Sequence, residues 1–445
     1  MRTSMRQNFL GMAMAMCCAG LGVTEMAAEA RQAVECQVRQ GLPNFFRLAE
    51  SGSRPIRVGY FGGSITAAEG WRVQSLQWLR QQFPKAEFQE IHGAISGTNS
   101  TLGAFRLQRD MLSHKPDLLF VEFAVNDGSS TTPTLKAMEG IVRQAWRSNP
   151  EMDICFVYTL CEWMIGTYRK GELTPSAACM ETVADRYGIP SVCFGLEIVR
   201  RLDAGKLIFR SQVDADARAA AWEQGICHFS GDGTHPYGDT GHRIYTDVLG
   251  RSLQAMRQAV APAFVKHRLE QPQRPDNLEF ARMVPMAQGT MTGPWRRMDS
   301  GKEQPARSLR NRMPEMWVAG PGAVLEFTFK GTECMIYDLT GPDCGWVSVT
   351  LDGKEVARSE RVTKDVWAHC YILRLLTVGT GLPDQAHTVR LEVLPEKCPN
   401  KLTYLKNSMK PEFQALTAES LAASPYNAQN WYTANILLVG EIVRP

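Results

Sequence analysis

The sequence predicts an α/β domain with a parallel sheet, followed by an all-β domain. From Ile56 to about Gln258, short apolar runs alternate with longer amphipathic stretches, as in parallel strands joined by helices that cover both faces of a sheet. From Val318 onward, strand-like runs follow one another with turn residues between them, which is typical of an antiparallel sandwich. A length of 445 residues also exceeds the size of one compact core, so we expect more than one domain.

In the α/β part, predicted strands and helices alternate. The strands cover short apolar runs: Ile56–Phe61, Glu87–His92, Leu118–Val125, Ile154–Leu160 and Ser191–Phe194. The helices cover the amphipathic stretches: Trp71–Phe83, Gly103–Leu112, Thr134–Ser148, Ala177–Tyr187 and Gly241–Ala259. Function in open α/β sheets gathers at the carboxyl ends of the strands, so the residues that follow each strand are the candidates for a site.

After Val260 the composition changes. Residues 261–316 contain seven prolines and many charges but few periodic segments, so we predict a linker that begins to fold into the next domain near Asn277. The chain therefore divides into a leader over residues 1–30, the α/β domain over 31–260, the linker and domain start over 261–316, and the β-domain over 317–445.

The predicted β-domain contains a series of strand-like runs. They are Val324–Phe329, Cys334–Leu339, Trp346–Leu351, His387–Val393 and Asn435–Ile442. We predict turns at Lys330-Gly331 and at Asp352-Gly353, and the Asp-Gly pair between apolar runs is a strong signal for a β-hairpin. An all-β sandwich follows from this pattern.

The first thirty residues have the composition of a secretory signal peptide. Arg2 and Arg6 precede an uncharged stretch from Gln7 to Thr24, and small residues follow as far as Ala30. We therefore expect an exported protein, periplasmic or extracellular. Lipidation at Cys17 or Cys18 is the less favoured alternative, because the residues before them fit a lipoprotein signal poorly. No other segment approaches the roughly 20 apolar residues of a membrane span.

Charge and cysteine content exclude several classes of function. The formal net charge is +3, from 49 basic and 46 acidic residues, which does not favour binding to nucleic acid or to an anionic membrane. The sequence contains no Cys-x-x-Cys pair, so we predict no zinc site. Cysteines in apolar runs, such as Cys155, are expected in the core, and the pairing of the others stays open.

Ser64 is a candidate nucleophile, because the predicted strand from Ile56 leads directly into Gly62-Gly63-Ser64. Two glycines allow a tight turn that presents the serine hydroxyl at the carboxyl end of a strand. An ordinary turn between strand and helix is the alternative reading of these residues.

A serine hydroxyl needs a general base and a group that orients that base. His235 lies in a glycine-rich loop just before the last predicted helix, and Asp232 precedes it by three residues. One short loop can therefore present both groups, with Asp232 fixing the tautomer of the ring while the other ring nitrogen faces Ser64. A surface turn with an incidental histidine is the alternative.

Donors for a developing oxyanion are expected in two loops that follow strands. Gly97, after the second strand, can offer a backbone N–H without steric obstruction, and Asn126, after the third, can offer a neutral amide. Glycine and asparagine are also ordinary turn formers, so each signal is weak by itself. Together with Ser64, Asp232 and His235 they form an ordered set at predicted strand ends.

With these five residues, the stretch from Pro55 to Leu253 resembles the SGNH (GDSL-type) hydrolases, which are named for residues in four sequence blocks. Ser64 corresponds to the first block, Gly97 to the second, Asn126 to the third, and Asp232 with His235 to the last. The resemblance implies a flavodoxin-like three-layer α/β/α fold and a Ser-His-Asp triad without metal or cofactor. It also implies an oxyanion hole formed by the backbone N–H groups of Ser64 and Gly97 and the side chain of Asn126.

One position departs from this family, since Gly63 stands where an aspartate is usual. That aspartate is not the acid of the triad, so we expect catalysis to survive with different hydrogen bonding around the turn. The C-terminal part resembles, loosely, the jelly-roll modules of carbohydrate esterases. Those modules more often precede the catalytic domain in two-domain acetylesterases.

The predicted function is an exported serine esterase that removes small acyl groups, in the first place O-acetyl groups, from an oligosaccharide or polysaccharide. Two alternatives stay open: a lipase, thioesterase or acyltransferase with the same triad, and a glycan-binding protein with a decayed hydrolase domain. The sequence does not specify the substrate, the regiochemistry or the oligomeric state. Core packing is favoured for most tryptophans of the chain. Those that could instead contact sugar rings are Trp71, Trp163, Trp317, Trp346, Trp367 and Trp431.

Overall fold

The computed structural model describes residues 30–443, so the predicted leader lies outside the described residues. The first part is built on a six-stranded sheet. Its strands are β1 (Cys36–Gln37), β2 (Ile56–Gly62), β3 (Phe88–His92), β4 (Leu118–Glu122), β5 (Asp153–Tyr158) and β6 (Ser191–Cys193). They lie in the order β1-β6-β5-β4-β2-β3. Strands β2 to β6 run parallel, which confirms the predicted parallel sheet, and β1 adds one antiparallel edge strand.

Helices lie between these strands and after the last of them along the chain. They are α1 (Pro43–Ser51), α2 (Ser64–Ala67), α3 (Trp71–Gln82), α4 (Ser100–Asp110), α5 (Ala124–Asp127), α6 (Thr132–Ser148), α7 (Ile165–Arg169), α8 (Pro175–Tyr187), α9 (Gly195–Asp203), α10 (Ala215–Glu223) and α11 (Gly241–Ala259). Short 3-10 helices cover Leu112–His114 and Glu162–Met164. Strands β7 (Leu207–Arg210) and β8 (Cys227–Ser230) form a separate parallel pair. Helix α10 lies between them in the sequence.

Two features of the sheet bear on the site. Strand β2 lies between β3 and β4, so its carboxyl end is the point at which the strand order reverses, where open α/β sheets bind their ligands. The third predicted strand ends earlier than expected, at Glu122, and Ala124–Asp127 forms a single helical turn instead. The Asp127 side chain accepts a hydrogen bond from the Ser100 N–H at 2.8 Å, which holds that turn against the start of α4.

Trp71 illustrates how the aromatic residues build the core of this part. It opens α3 and is fully buried. Its ring packs at 5.4 Å from the ring of Tyr60 and at 6.0 Å from those of Phe120 and Phe194. Edge-to-face contacts of this kind add to the free energy gained by burying apolar surface. The expectation that Trp71 packs in the core is therefore confirmed.

The second part is an antiparallel β module. Its strands are β9 (Ala281–Pro285), β10 (Thr290–Thr292), β11 (Trp295–Arg297), β12 (Trp317–Ala319), β13 (Val324–Thr340), β14 (Trp346–Leu351), β15 (Lys354–Glu360), β16 (Ile372–Gly379), β17 (Gln385–Val393) and β18 (Trp431–Val443). Short helices are α12 (Ala306–Leu309), α13 (Lys401–Lys406), α14 (Pro411–Gln414) and α15 (Ala418–Ala422), with 3-10 turns at Met286–Gln288 and Pro425–Asn427. The predicted hairpin at Asp352-Gly353 joins β14 to β15, and both turn residues have positive φ.

The predicted turn at Lys330-Gly331 is wrong. The chain continues there as one 17-residue strand, β13, which bends instead of reversing. Gly331 lies opposite Gly440 of β18, with φ values of 156° and 148°. A Cβ on Gly331 would lie 2.2 Å from the Val439 carbonyl oxygen, so paired glycines allow the two long strands to bend while they stay hydrogen bonded.

The two parts pack against each other. Tyr337 of β13 and Leu437 of β18 belong to the same apolar core as the α/β sheet. Lys136 of α6 pairs with Glu333 of β13, and Arg109 of α4 lies 3.1 Å from the sulfur of Met283 in β9. Within the segment predicted as linker and domain start, β9 to β11 are already strands of the β module.

The ten cysteines among residues 30–443 are all free, and eight of them are buried. No helix in the same residues is long and apolar enough to cross a membrane. Among the tryptophans of the β module, Trp431 is fully buried, whereas the side chain of Trp367 is 49% exposed.

Candidate active site

Ser64 lies where the central strand of the sheet ends. Strand β2 stops at Gly62, Gly63 precedes the first residue of α2, and Ser64 is that first residue. The Ala67 N–H donates to the Gly63 carbonyl at 3.0 Å, which closes the turn. The hydroxyl of Ser64 is thus presented at the carboxyl end of β2.

His235 and Asp232 come from the loop between β8 and α11. The Ser64 hydroxyl lies 2.8 Å from His235 Nε2, and His235 Nδ1 lies 2.7 Å from Asp232 Oδ2. The other carboxylate oxygen of Asp232 accepts the backbone N–H groups of Thr234 and His235, each at 2.8 Å. The three predicted side chains therefore form one continuous hydrogen-bonded chain.

The charge of Asp232 determines which way the protons point in this chain. Partial burial raises the pKa of Asp232, but hydrogen bonds from the His235 ring and from the backbone N–H groups of His235 and Thr234 outweigh it and hold that pKa well below its usual range. An ionised carboxylate can only accept, so His235 Nδ1 carries a proton. In the neutral ring, Nε2 is then the acceptor that faces the Ser64 hydroxyl.

The loops that carry Gly97 and Asn126 meet beside the nucleophile. The Ile95 N–H donates to the Gly62 carbonyl at 3.0 Å, which holds the Gly97 loop against the end of β2. Gly97 has a φ of 75°, and a Cβ at this position would meet no atom within 4 Å, so its backbone borders open space. The Asp127–Ser100 hydrogen bond described above ties the Asn126 turn to the same loop.

Asn126 explains why residue 63 is a glycine. A Cβ on Gly63 would lie 1.8 Å from Asn126 Oδ1 and 2.7 Å from its Cγ, closer than any real contact. The amide of Asn126 thus occupies the space that a side chain at position 63 would need. An aspartate at this position is incompatible with Asn126 as it is placed here, which accounts for the departure noted in the sequence.

Glu122, for which we predicted no role, lies under the nucleophile turn. It is the last residue of β4 and only 1% exposed. Its carboxylate accepts hydrogen bonds from the hydroxyls of Thr66 at 2.8 Å and Thr159 at 2.7 Å. Burial raises the pKa of Glu122 to about 7, although these hydrogen bonds oppose the shift. The only signal in the sequence was a carboxylate that ends an otherwise apolar run.

A second histidine lies close to the triad but is buried. His242 Nδ1 accepts the backbone N–H of Trp71 at 3.1 Å. Burial, with a smaller contribution from nearby His235, lowers the pKa of His242 to about 4, so its ring is neutral at neutral pH. A Cβ on Gly70 would overlap this ring at 2.2 Å, so the ring fills the space left by that glycine.

The surroundings of the triad are open and polar. The side chains of His235 and Asp232 are 48% and 56% exposed. Trp163 is 56% exposed, and the N–H of its neighbour Glu162 donates to the Gly233 carbonyl in the loop of the triad at 2.8 Å. The His235 and Asp232 side chains are therefore accessible to solvent, and an exposed aromatic residue is the sequence neighbour of a residue that hydrogen bonds to their loop.

A cavity of about 420 Å³ extends from the nucleophile turn towards the second part of the chain. Its lining includes Ala67 and Ser96 from the α/β part and Asn311 and Arg312 from the second part. Most of its lining side chains are polar, including Arg109. Among residues 30–443, no group of three or more His, Cys, Asp or Glu side chains is arranged to hold a metal ion.

Residues 60–244 match the family model of the GDSL-like lipases and acylhydrolases. This range contains all five residues predicted for the site. No curated protein sequence is significantly similar to the chain.

Solved structures show the same two-part architecture. A two-domain esterase active on acetylated mannans, co-crystallised with mannopentaose, superposes with a TM-score of 0.66 at 18% identity, covering 93% of this chain and 100% of that one. Another crystal structure of a two-domain esterase with this activity gives a TM-score of 0.64 at 19% identity, with 91% and 97% coverage. At such identities the likeness shows the fold alone, and it extends over both parts of the chain.

The contact between Gly63 and Asn126 leads to a testable prediction. In Gly63→Ala the new methyl group must displace the Asn126 amide or the turn, so we expect the rate at which a fluorophosphonate labels Ser64 to fall by about tenfold or more. Gly166→Ala is the matched control, because Gly166 is helical and a Cβ there meets no atom within 4 Å. Labelling of Gly63→Ala at the wild-type rate would show that residue 63 tolerates a side chain.

Proposed function

We propose that this chain, whose residues 60–244 carry a domain of the GDSL-like lipase/acylhydrolase family, is a serine esterase that removes acetyl groups from carbohydrate. The observation that carries the proposal is the hydrogen-bonded chain from Ser64 through His235 to Asp232, with distances of 2.8 and 2.7 Å. These distances lie within the range in which a base takes the proton of a serine nucleophile.

In the first half of the reaction, Ser64 Oγ attacks the ester carbonyl carbon while His235 Nε2 takes the hydroxyl proton. The carbonyl π electrons move to oxygen and form a tetrahedral oxyanion. As the oxyanion collapses, the bond from carbon to the sugar oxygen breaks, and His235 gives its proton to that oxygen. The products are a free sugar hydroxyl and an acyl group on Ser64. Asp232, ionised throughout, stabilises the imidazolium that forms between the two proton transfers.

In the second half, water repeats the attack on the acyl-serine. His235 takes one proton from the water, and the new tetrahedral oxyanion expels Ser64 Oγ, which recovers that proton. The acid is released and the enzyme returns to its starting state.

The oxyanion needs donors that are in place before charge develops. We assign this role to the backbone N–H groups of Ser64 and Gly97 and to Asn126 Nδ2. Asn126 Oδ1 lies towards Gly63, and no protein group among residues 30–443 accepts a hydrogen bond from Nδ2. That nitrogen therefore has a proton to offer to substrate.

Three observations support acetyl groups on carbohydrate as the substrate class. The triad is half-exposed, which gives a polymer chain access to it. The neighbouring cavity is lined mostly by polar side chains, which suits sugar hydroxyls better than a long acyl chain. The two-domain esterases that share this fold over the whole chain are active on acetylated mannans.

The same observations weigh on the alternatives. A lipase needs an apolar groove for its acyl chain, and the cavity that begins at Ala67, three residues after Ser64, is lined mostly by polar side chains. A decayed hydrolase would have no selection to keep three side chains at hydrogen-bond distances, so the intact geometry counts against it.

Ser64→Ala removes the nucleophile, so acetate release from acetylated mannan and from p-nitrophenyl acetate is expected to fall by about 10⁴-fold or more. Wild-type activity is expected to decrease steeply from acetyl to octanoyl p-nitrophenyl esters, as measured by release of nitrophenolate. A preference for octanoyl would favour the lipase reading, and acetate release by Ser64→Ala at the wild-type rate would exclude the proposed nucleophile.

Trp163 is expected to contact the polysaccharide. In Trp163→Ala the KM for acetylated mannan should rise by about fivefold because a stacking surface is lost, while the KM for p-nitrophenyl acetate stays within about twofold. Phe264→Ala is the control, since Phe264 is 58% exposed and lies outside the loops of the triad. Equal effects of the two variants on polymer would argue against a sugar contact at Trp163.

We also propose that the protein is exported, on the basis of the charged and apolar pattern of residues 1–30. Expression of the full chain in a bacterium should then yield a mature protein shortened at its amino terminus near Ala30, as read by intact-protein mass spectrometry of the periplasmic or culture fraction. Recovery of the uncleaved chain only from the cytoplasm would contradict export.

A further inference from the structure

Glu122 is a buried carboxylate that takes no part in the proposed reaction. It is 1% exposed, and its hydrogen-bonding side chains are the hydroxyls of Thr66 and Thr159. A carboxylate without a cation in direct contact is costly to bury, and buried charges in proteins are normally paired. We therefore expect a glutamate at this position to have a role that offsets the free-energy cost of burying its carboxylate.

The contacts of Glu122 lie on both sides of Ser64. Glu122 is the register partner of Gly62, across the pairing of β4 with β2. Thr66, two residues after Ser64, donates to Oε2. The backbone N–H of Gly63, one residue before Ser64, helps to hold the pKa of the carboxyl group down. Oε1 accepts from Thr159, which follows β5. One side chain thus connects the nucleophile turn to the two neighbouring strands.

A side chain at position 63 has no room to connect the nucleophile turn to the neighbouring strands in place of Glu122. The Asn126 amide lies 1.8 Å from where a Cβ of residue 63 would be. At position 62, a Cβ would lie 2.5 Å from the Glu122 carbonyl oxygen. A side chain at position 62 would therefore overlap the backbone of β4, and one at position 63 would require the Asn126 amide to move. With two glycines, the residues of greatest backbone freedom, before Ser64, contacts from outside the turn hold its conformation.

We propose that Glu122 is a positioning residue that braces the nucleophile turn. Its strand pairs with Gly62 before Ser64, and its carboxylate accepts a hydrogen bond from Thr66 after Ser64, so that the Ser64 hydroxyl stays aligned with His235. The inference rests on the proposed function, because alignment of Ser64 matters only if Ser64 is the nucleophile. Glu122 itself does not reach the reacting atoms.

The brace depends on the charge of Glu122. As a carboxylate it accepts from the hydroxyls of Thr66 and Thr159, one on each oxygen, whereas a protonated group must turn one oxygen into a donor. The titratable groups that face it are Asp127, Cys161 and Tyr245, and none of these three is a cation. The raised pKa, about 7, means that the brace is complete above neutral pH and weakens as the pH falls.

The same titration has the opposite effect on stability. The folded state binds the Glu122 proton more tightly than the unfolded chain does, so the stability linked to this group is fully present below its ordinary pKa and is lost as the pH rises through about 7. Replacing Glu122 by glutamine removes this dependence. The melting temperature of Glu122→Gln minus that of wild type should therefore increase as the pH rises from 5 to 8. The activity of Glu122→Gln at pH 8 should nevertheless be lower than that of wild type.

The test compares Glu122→Gln with Glu139→Gln. Glu139 is also 1% exposed, and it accepts from the Tyr187 hydroxyl and from the N–H groups of Gln273 and Arg274, in contacts that do not include the nucleophile turn. With p-nitrophenyl acetate at pH 8 we expect the kcat of Glu122→Gln to fall by about tenfold to a hundredfold with KM within about threefold. The kcat of Glu139→Gln should stay within about twofold of wild type.

The pH profile supplies a readout that a merely structural role would not move. The acid limb of log kcat against pH should be steeper in wild type, where protonation of Glu122 weakens the brace, than in Glu122→Gln, which has no carboxyl group to titrate at this position. Thr66→Val should lower kcat and Thr66→Ser, which keeps the donor to Glu122, should restore most of it. This pair carries the test if Glu122→Gln does not fold.

Two results would overturn the inference: an unchanged kcat and acid limb in Glu122→Gln, or equal kcat in Thr66→Val and Thr66→Ser. A wild-type protein that neither cleaves the ester nor takes up a fluorophosphonate at Ser64 would instead overturn the proposed function, and the inference with it. A wild type that is active while Glu122→Gln behaves like Glu139→Gln overturns the inference alone.

Discussion

The backbone of Gly62 pairs with Glu122 so closely that a Cβ on the glycine would lie 2.5 Å from the glutamate carbonyl oxygen, and the next residue, Gly63, packs directly on Asn126. This crowding brings the end of β2, the end of β4 and the α5 turn together at one point. The Ser64 hydroxyl, the Asn126 amide and the buried Glu122 carboxylate, which come from different elements, are thereby brought close together. A larger residue at either glycine would separate them.

The remaining parts of the site are held by their own loops. Asp232 accepts hydrogen bonds from the His235 ring and from two backbone N–H groups of the same loop, so this loop itself orients both side chains towards Ser64. Glu162 supports this loop through Gly233. Preorganisation of this kind reduces the reorganisation that must accompany charge development in the transition state. The catalytic geometry therefore depends on local hydrogen bonding as well as on the sheet.

The β module completes the fold as a packed partner of the α/β sheet. Tyr337 and Leu437 share its apolar core, and Lys136 meets Glu333 across the contact. Asn311 and Arg312, which lie just before the long strands of the module, line the cavity that begins at the nucleophile turn. Residues from both parts of the chain thus line this cavity.

The amino-acid sequence by itself determined the alternation of strands and helices and the antiparallel β module, and it pointed to five candidate site residues, because periodicity and turn residues are local signals. Only the tertiary structure decided the rest. Ser64 and His235 are 171 residues apart, and their contact depends on which strands become neighbours. Gly331 resembles a turn residue, yet its pairing with Gly440 makes it a bend. Glu122 acquires its role and its raised pKa from burial under a strand that is distant in sequence, which no local pattern encodes.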